Sequence, residues 1–389
     1  MSSFSTRVLR PLGGLLLCLA VLLLAMGLLT SSQVVGDGIR TGLALCGNVV
    51  IPSLFPFMVL SGFVTLSVVS DWIAKPFQGV TRHLFHLPGS LSSVILMSLV
   101  GGYPVAAKAL GTLLDEGRVT PQQVSRMLCF CVNAGPPFIV TIVGTQLLGS
   151  AQAGWILLGS QILSTLLIGF VTARRFPTPA PDAGRHTPMP LALAFVQSVA
   201  NGVAGMVAIC SFVLLFSSVA ALLSHQVLPN LVEFLTGICP YPQLDDAFFT
   251  ALAYGLLEVV NGCNAAVQAR PDLAFLLCAF FLSFGGLSII CQVSACILPR
   301  KVSLKPFLLS RLAHGFLTGA IAYPLYRFSG CTLACMSGAP LPAQLNANTA
   351  LVTLCLLGMS ALMLLSMERC GNFSRDAQRR RFSKRAVLK

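Results

Sequence analysis

Ten apolar runs, at 12–29, 41–69, 91–110, 127–148, 151–171, 191–223, 248–267, 273–298, 307–326 and 349–365, follow one another with only short polar gaps. A run of about 18 or more apolar residues is long enough to cross the hydrocarbon layer as a helix. The pattern therefore predicts a bundle of membrane helices, and the gaps set its path. Arg7 and Arg10, the Lys75 and Arg82 loop, the Arg174, Arg175 and Arg185 loop, the Arg300, Lys301 and Lys305 loop and the C-terminal tail carry the basic residues expected on the cytoplasmic side. The segments 224–247 and 328–348 hold no Lys or Arg and are expected outside.

Simple alternation cannot satisfy these sides. It can if 91–110 is a re-entrant hairpin that enters and leaves from the cytoplasm, which keeps Lys108, Arg118 and Arg126 inside. Likewise 248–267 becomes a hairpin from the outer face, so that 273–298 crosses inward to the next basic loop. The expected fold is an all-α polytopic membrane protein of about eight transmembrane helices plus two re-entrant helical hairpins, a multi-pass protein of the cell membrane with both termini cytoplasmic. The order long helix, hairpin, broken helix, helix occurs twice, and the number of crossings makes the second copy inverted. Such inverted-topology repeats are typical of secondary transporters, whose site lies between them near the midplane. The divisions are an N-terminal transmembrane helix (1–37), a first repeat (38–173), a cytoplasmic linker (174–190), a second repeat (191–328), an outer loop with the last helix (329–367) and a basic cytoplasmic tail (368–389).

Composition sharpens this picture. The 389 residues are 55% hydrophobic and 10% charged, against roughly 25% charged in soluble domains, which excludes a water-soluble core. A net charge of +13 does not point to nucleic acid, because the cations sit in short clusters between apolar runs. The tail alone holds eight of the 25 Lys and Arg residues, which suits topology and contact with anionic lipid headgroups. Most of the 14 cysteines lie inside apolar runs as small hydrophobes. Cys331 and Cys335 are four apart with no histidine beside them, so no metal site is expected. The run 12–29 is longer than the core of a signal peptide and lacks a clear cleavage site, which favours a retained helix.

Four places break the helical pattern at membrane depth. They are Gly101, Gly102, Tyr103 and Pro104 in the first hairpin, Asn133 to Pro137 in the helix after it, Glu258 to Asn264 in the second hairpin, and Ser283 to Ser288 in the helix after that. Glycine tolerates positive φ and proline breaks the hydrogen-bond ladder. Unwound backbone is tolerated in a bilayer only where protein or a wet cavity surrounds it. One break alone would be read as a kink or a close helix contact. Four at matching positions point to one central solute site, with candidates Gly101, Gly102, Tyr103, Pro104, Lys108, Asn133, Gly135, Pro136, Glu258, Asn261, Gly262, Ser283, Gly285, Gly286, Ser288 and Gln292. Glu258 is the acid well inside an apolar run, a functional candidate by default: a cation ligand, a proton carrier or an acceptor for a polar solute. The bland alternatives are a neutral carboxyl held by Asn261 or Asn264, or a tie to Lys108. Lys108 in turn can snorkel to the interface, and Gln292 and His314 can be interhelical hydrogen bonds. No G-x-S-x-G, H-E-x-x-H or P-loop is present, so neither an enzyme nor a cofactor is expected.

At these same segments, GGYPVAAKALGTLLDEGRVT, CFCVNAGPPFI, GLLEVVNG, LSFGGLSIICQV and SRLAHGF, the chain resembles the sporulation integral membrane proteins of the YlbJ type. These belong to the group with nucleoside-recognition Gate domains, shared with nucleoside transporters and the membrane part of ferrous iron permeases. The likeness spans about 38–326 and makes the two repeats Gate-like. It implies a mother-cell role in endospore formation, notably cortex assembly, with transport inferred and the substrate unassigned. The family-like positions are Gly102, Tyr103, Pro104, Lys108, Asn133, Pro136, Glu258, Gly262, Gly285, Gly286, Ser288 and Gln292. Gly101 stands where the family usually has Ser, and Ala134 to Pro136 lack the expected hydroxyl or amide, so substrate identity does not carry across. The expectation is a secondary transporter for a small polar solute, a nucleoside or an ion among the candidates, with a non-transporting scaffold for spore-envelope assembly as the alternative.

Overall fold

The computed structural model describes residues 18–333 apart from 20, 23, 24, 176–187, 240, 242, 243 and 268–270. The expected helix at 349–365, the basic tail, most of the 174–190 linker, Cys335 and the flank with Arg7 and Arg10 lie outside the described residues. Every regular element among the described residues is helical.

Helix α1 (Ser32–Leu45) passes through a π-helical stretch, Cys46–Val50, into α2 (Ile51–Leu66). Pro52 has no N–H to return to the preceding turn, and the ladder widens just before it. The chain then bends by 88° into α3 (Val69–Ala74), a 3-10 turn at Lys75–Phe77 and α4 (Gln78–Phe85). The sequence reading of this segment as a loop is corrected: it is helical and amphipathic. Asp71, Lys75, Gln78 and Arg82, at spacings of four, three and four, line an internal cavity. Trp72, Ile73, Phe77 and Val80 are exposed, the pattern of a helix lying in the membrane interface. Arg126, buried, closes its end by donating to Phe85 O at 2.8 Å.

The first hairpin follows as α5 (Ser92–Val100) and α6 (Tyr103–Asp115). Next comes α7 (Pro121–Cys131), started by a capping box in which Thr120 Oγ1 accepts from Gln123 N and Gln123 Oε1 from Thr120 N. A break leads to a π-helical stretch, Phe138–Leu147, and then to α8 (Ala151–Arg175). The second half runs α9 (Leu191–Gln226), α10 (Leu228–Ile238), α11 (Asp246–Leu257), α12 (Val259–Ala266), α13 (Pro271–Phe284), α14 (Gly286–Ile297) and α15 (Lys305–Phe328). Among the described residues, Ala151–Arg175, Leu191–His225 and Pro271–Arg300 are each long and apolar enough to cross a membrane. The segment 224–247, expected as an outer loop, contains α10, with Val227, Leu231, Phe234 and Ile238 exposed along one face.

Packing separates two bodies. In the first, α9 lies along α1 and α2, brought close where a Cβ on Gly38 would stand 2.8 Å from Ser217 O. Its own apolar cluster comprises Cys46, Val50, Met58, Met206, Ile209, Cys210 and Val213. The second body holds the larger cluster, drawn from the hairpins, the broken helices, α8 and α15. Helix α15 packs against α7, α8 and α13. The cavities described next lie in the seam between these bodies.

Candidate functional site

The four breaks meet. At the first, Gly102 has φ +82° and starts α6, with Pro104 in its opening turn. A Cβ on Gly135, in the second break, would stand 3.3 Å from Val100 O and 3.6 Å from Gly102 N, so the first two breaks touch backbone to backbone. Gly285 and Gly286 have φ +86° and +76°. A Cβ on Gly286 would come within 3.1 Å of Glu258 N, so the third and fourth breaks touch in the same way. Tyr103 joins the pairs by donating its hydroxyl to Leu282 O at 2.6 Å. Glu258 has extended backbone (φ −152°, ψ 129°), and its Oε2 caps α12 by accepting from Asn261 N at 2.8 Å. Of the partners considered for this carboxylate, Asn261 supplies one through its backbone N–H, while the Asn261 side chain donates to Ser217 Oγ at 3.0 Å. No ion pair to Glu258, from Lys108 or elsewhere, exists among the described residues.

Arg311, absent from the sequence-based candidates, ties the broken helices together. It is 0% exposed. Its guanidinium donates to Val132 O at 2.6 Å and Cys129 O at 2.8 Å, at the end of α7, and to Ser283 O at 3.1 Å, at the end of α13. Helix C-termini leave carbonyls unpaired and carry partial negative charge, which a cation offsets. The signal was legible: an arginine inside the run 307–326 falls under the same intramembrane-charge rule that singled out Glu258. A polar lattice surrounds it. Asn133 donates to Phe130 O at 2.8 Å and accepts from Thr165 Oγ1 at 2.9 Å, and Thr165 also reaches His314 Nε2 at 3.3 Å. Thr318 bridges Ser283 and Ser164, both at 2.7 Å. Gln161 holds Ala134 O at 3.1 Å.

Two cavities occupy the seam. The smaller, about 50 Å³, is lined from the second body by Gly101, Gly102, Tyr103, Gly135, Glu258 and Gln292 together with apolar residues, and from the first body by Val50, Leu54, Met58, Ile209 and Val213. The larger, about 1000 Å³, is lined by three polar stripes. Asp71, Lys75, Gln78 and Arg82 come from the amphipathic segment, Lys108, Thr112 and Glu116 from α6 and its end, and Gln197 and Asn201 from α9. Met58 lines both cavities. Lys75, Arg82, Lys108 and Arg118, all assigned to one side of the membrane by charge, open onto this single cavity. Ser90 and Thr112, at the two ends of the first hairpin, line it too.

The expected site residues therefore divide. Gly101, Gly102, Tyr103, Gly135, Glu258 and Gln292 face the small cavity, and Lys108 faces the large one. Asn133, Ser283 and Ser288 are buried in hydrogen bonds. Pro136 is half-buried beside the second break, Gly262 packs against the Gly255 backbone, and Gly285 and Gly286 shape the fourth break.

At the far end of α6, Arg300 forks onto Asp115, Nε to Oδ1 at 2.8 Å and Nη2 to Oδ2 at 2.7 Å. The guanidinium holds the Asp115 carboxyl below the usual carboxylate range.

Apolar membrane-length helices, discontinuous helices that meet inside the fold and polar cavities beside them define a helical integral membrane protein. The chain is similar to the sporulation integral membrane protein YlbJ of Bacillus subtilis (strain 168), 24% identical over 344 residues that cover 82% of this chain and 84% of that protein. The YlbJ-type resemblance seen in the motifs thus extends over most of the length. No protein-family model matches the chain, and no solved structure matches it.

Proposed function

We propose that this chain is a secondary transporter of the sporulation membrane, moving a small polar solute by displacement of one helical body against the other. The observation that carries the reading is the seam: two separately packed apolar clusters with two cavities between them, the larger lined by charged side chains and the smaller by three of the helix breaks. The order of elements supports two inverted repeats, 38–173 and 191–328, within about eight crossings and two re-entrant hairpins. Each holds a long helix, an amphipathic interfacial helix, a helix–break–helix hairpin, a broken helix and a closing helix. With Lys75, Arg82 and Lys108 on the cytoplasmic side, the large cavity is a vestibule open to the cytoplasm.

The vestibule wall suits solutes carrying negative charge. Lys75, Arg82 and Lys108 form no ion pair among the described residues, while Arg118 is taken by Glu116 at 3.3 Å. Gln197 and Asn201 add donors and acceptors for the rest of the molecule. A neutral nucleoside would use these amides but leave the cations idle. A cavity of about 1000 Å³ with this lining speaks against a purely structural scaffold. Likeness to YlbJ supports the sporulation setting.

The test is uptake into proteoliposomes of labelled small organic anions, nucleotides and nucleosides. The expected result is accumulation that Met58→Trp, where the two cavities share a wall residue, blocks while the protein still melts like the parent. Accumulation that persists in a folded Met58→Trp variant would place the path elsewhere, and absence of flux for the whole panel would return the scaffold reading.

A further inference from the structure

The small cavity beside the breaks is lined by a carboxylate with no cationic partner and an amide oxygen with no donor among the described residues. Glu258 is 2% exposed and carries no ion pair among the described residues. Gln292 is 6% exposed: its Nε2 donates to Ser288 Oγ at 3.2 Å, and its Oε1 has no donor among the described residues. Both line the same cavity of about 50 Å³. A buried carboxylate without a cation and a buried amide oxygen without a donor each cost free energy at membrane depth. The Arg311 guanidinium nitrogens Nη1 and Nη2 serve the Cys129, Val132 and Ser283 carbonyls, and the Tyr103 hydroxyl serves Leu282 O. What is missing at this one point is positive charge.

We infer that the small cavity binds a monovalent inorganic cation between the Glu258 carboxylate and Gln292 Oε1. A single carboxylate balances a single charge, whereas divalent ions recruit more oxygen ligands and more carboxylates. No cluster of three His, Cys, Asp or Glu residues exists among the described residues. Size argues the same way. A water needs about 10–15 Å³ of such space, so a cavity of about 50 Å³ takes an ion with a little water and excludes a carbon skeleton.

The wall across the seam gives the ion a purpose. Val50, Leu54, Met58, Ile209 and Val213 are apolar; a bare carboxylate resists sliding along them, and a neutralised one does not. That this is the coupling ion rests on the transporter reading. That it binds does not.

The experiment is thermal unfolding of the purified full chain in detergent, without solute, in NaCl, KCl or LiCl against choline chloride at equal ionic strength, repeated across pH. The expected result is a saturable rise in Tm with at least one alkali chloride and none with choline. Glu258→Gln should lose that rise while melting no lower than the cation-free parent. Gln292→Met should raise the half-saturating concentration by about tenfold or more. Equal melting in alkali and choline salts, an undiminished rise in Glu258→Gln, or a Tm that follows pH alone would overturn the site. Flux without an alkali response removes the ion site only; an alkali response without flux of any solute removes the transport reading only.

Discussion

Replacing Arg311 by methionine tests the core of the architecture. The substitution keeps an unbranched chain of similar reach and deletes the guanidinium. Three carbonyls, of Cys129, Val132 and Ser283, lose their donor. Hydrogen bonds to a charged group are worth about 1.5–3 kcal/mol each. Against that loss stands the relief of no longer burying a cation, several kcal/mol. Three such bonds are worth about 4.5–9 kcal/mol, so the remainder after that relief is on the order of 3–5 kcal/mol. Arg311→Lys keeps the charge but offers one nitrogen where the guanidinium forks to both broken helices, and should fall between, about 1.5–3 kcal/mol down. Unfolding can be followed with a thiol-reactive fluorophore, because Cys46, Cys129, Cys131, Cys210, Cys263 and Cys278 are free and buried. At a few degrees or less per kcal/mol, the methionine variant should melt on the order of 5–15 °C below the parent. A methionine variant that melts with the parent, or above the lysine variant, would show that the carbonyls find other partners and that the tie is dispensable.

Three further outcomes follow. Single cysteines at Ser90 and Thr112, introduced in a background stripped of exposed thiols, should both label from the same membrane face as one at Lys75; labelling from opposite faces would make α5 and α6 a crossing and end the inverted-repeat proposal. Gly262→Ala should lose about 1–3 kcal/mol of stability by overpacking the second hairpin, since its Cβ would run into the Gly255 backbone; parental melting would mean the hairpin arms separate freely. Asp115→Asn should cost under about 1 kcal/mol, because the Asp115 side chain is 54% exposed and solvent screens the pair. The Asp115 carboxyl is depressed in the folded state, so its contribution is full above the unfolded value near 3.9 and is lost as pH falls through the folded value. The gap between parent and variant should therefore close in acid, and a gap that widened there would reverse the assignment.

Much of this fold was legible because membrane helices announce themselves by length and charge. The four breaks were legible for a local reason: Gly102, Gly285 and Gly286 need positive φ, and their position mid-run leaves little else for them to do. The interfacial helices were harder. Asp71, Lys75, Gln78 and Arg82 repeat at helical spacing, yet basic charge between apolar runs reads first as a loop. The widening of the ladder at Phe138–Leu147 leaves no mark in the residue types. The charge of Arg311 was legible inside its apolar run, but what it ties together was not: its partners, the Cys129, Val132 and Ser283 carbonyls, converge on it only in space. The sizes of the two cavities belong wholly to packing. Sequence placed the solute candidates around the breaks, and the larger space turned out to lie on the other side of Met58, beside Lys108.

The glycines at the meeting point have a consequence for how such a protein can change over time. Where Gly102 touches Gly135 and Gly286 touches Glu258 N, the inner wall is main chain. A wall of peptide groups presents the same N–H and C=O whatever side chains surround it. Drift in the flanking residues can then reshape the outer cavity without rebuilding the centre, so the two can change at different rates.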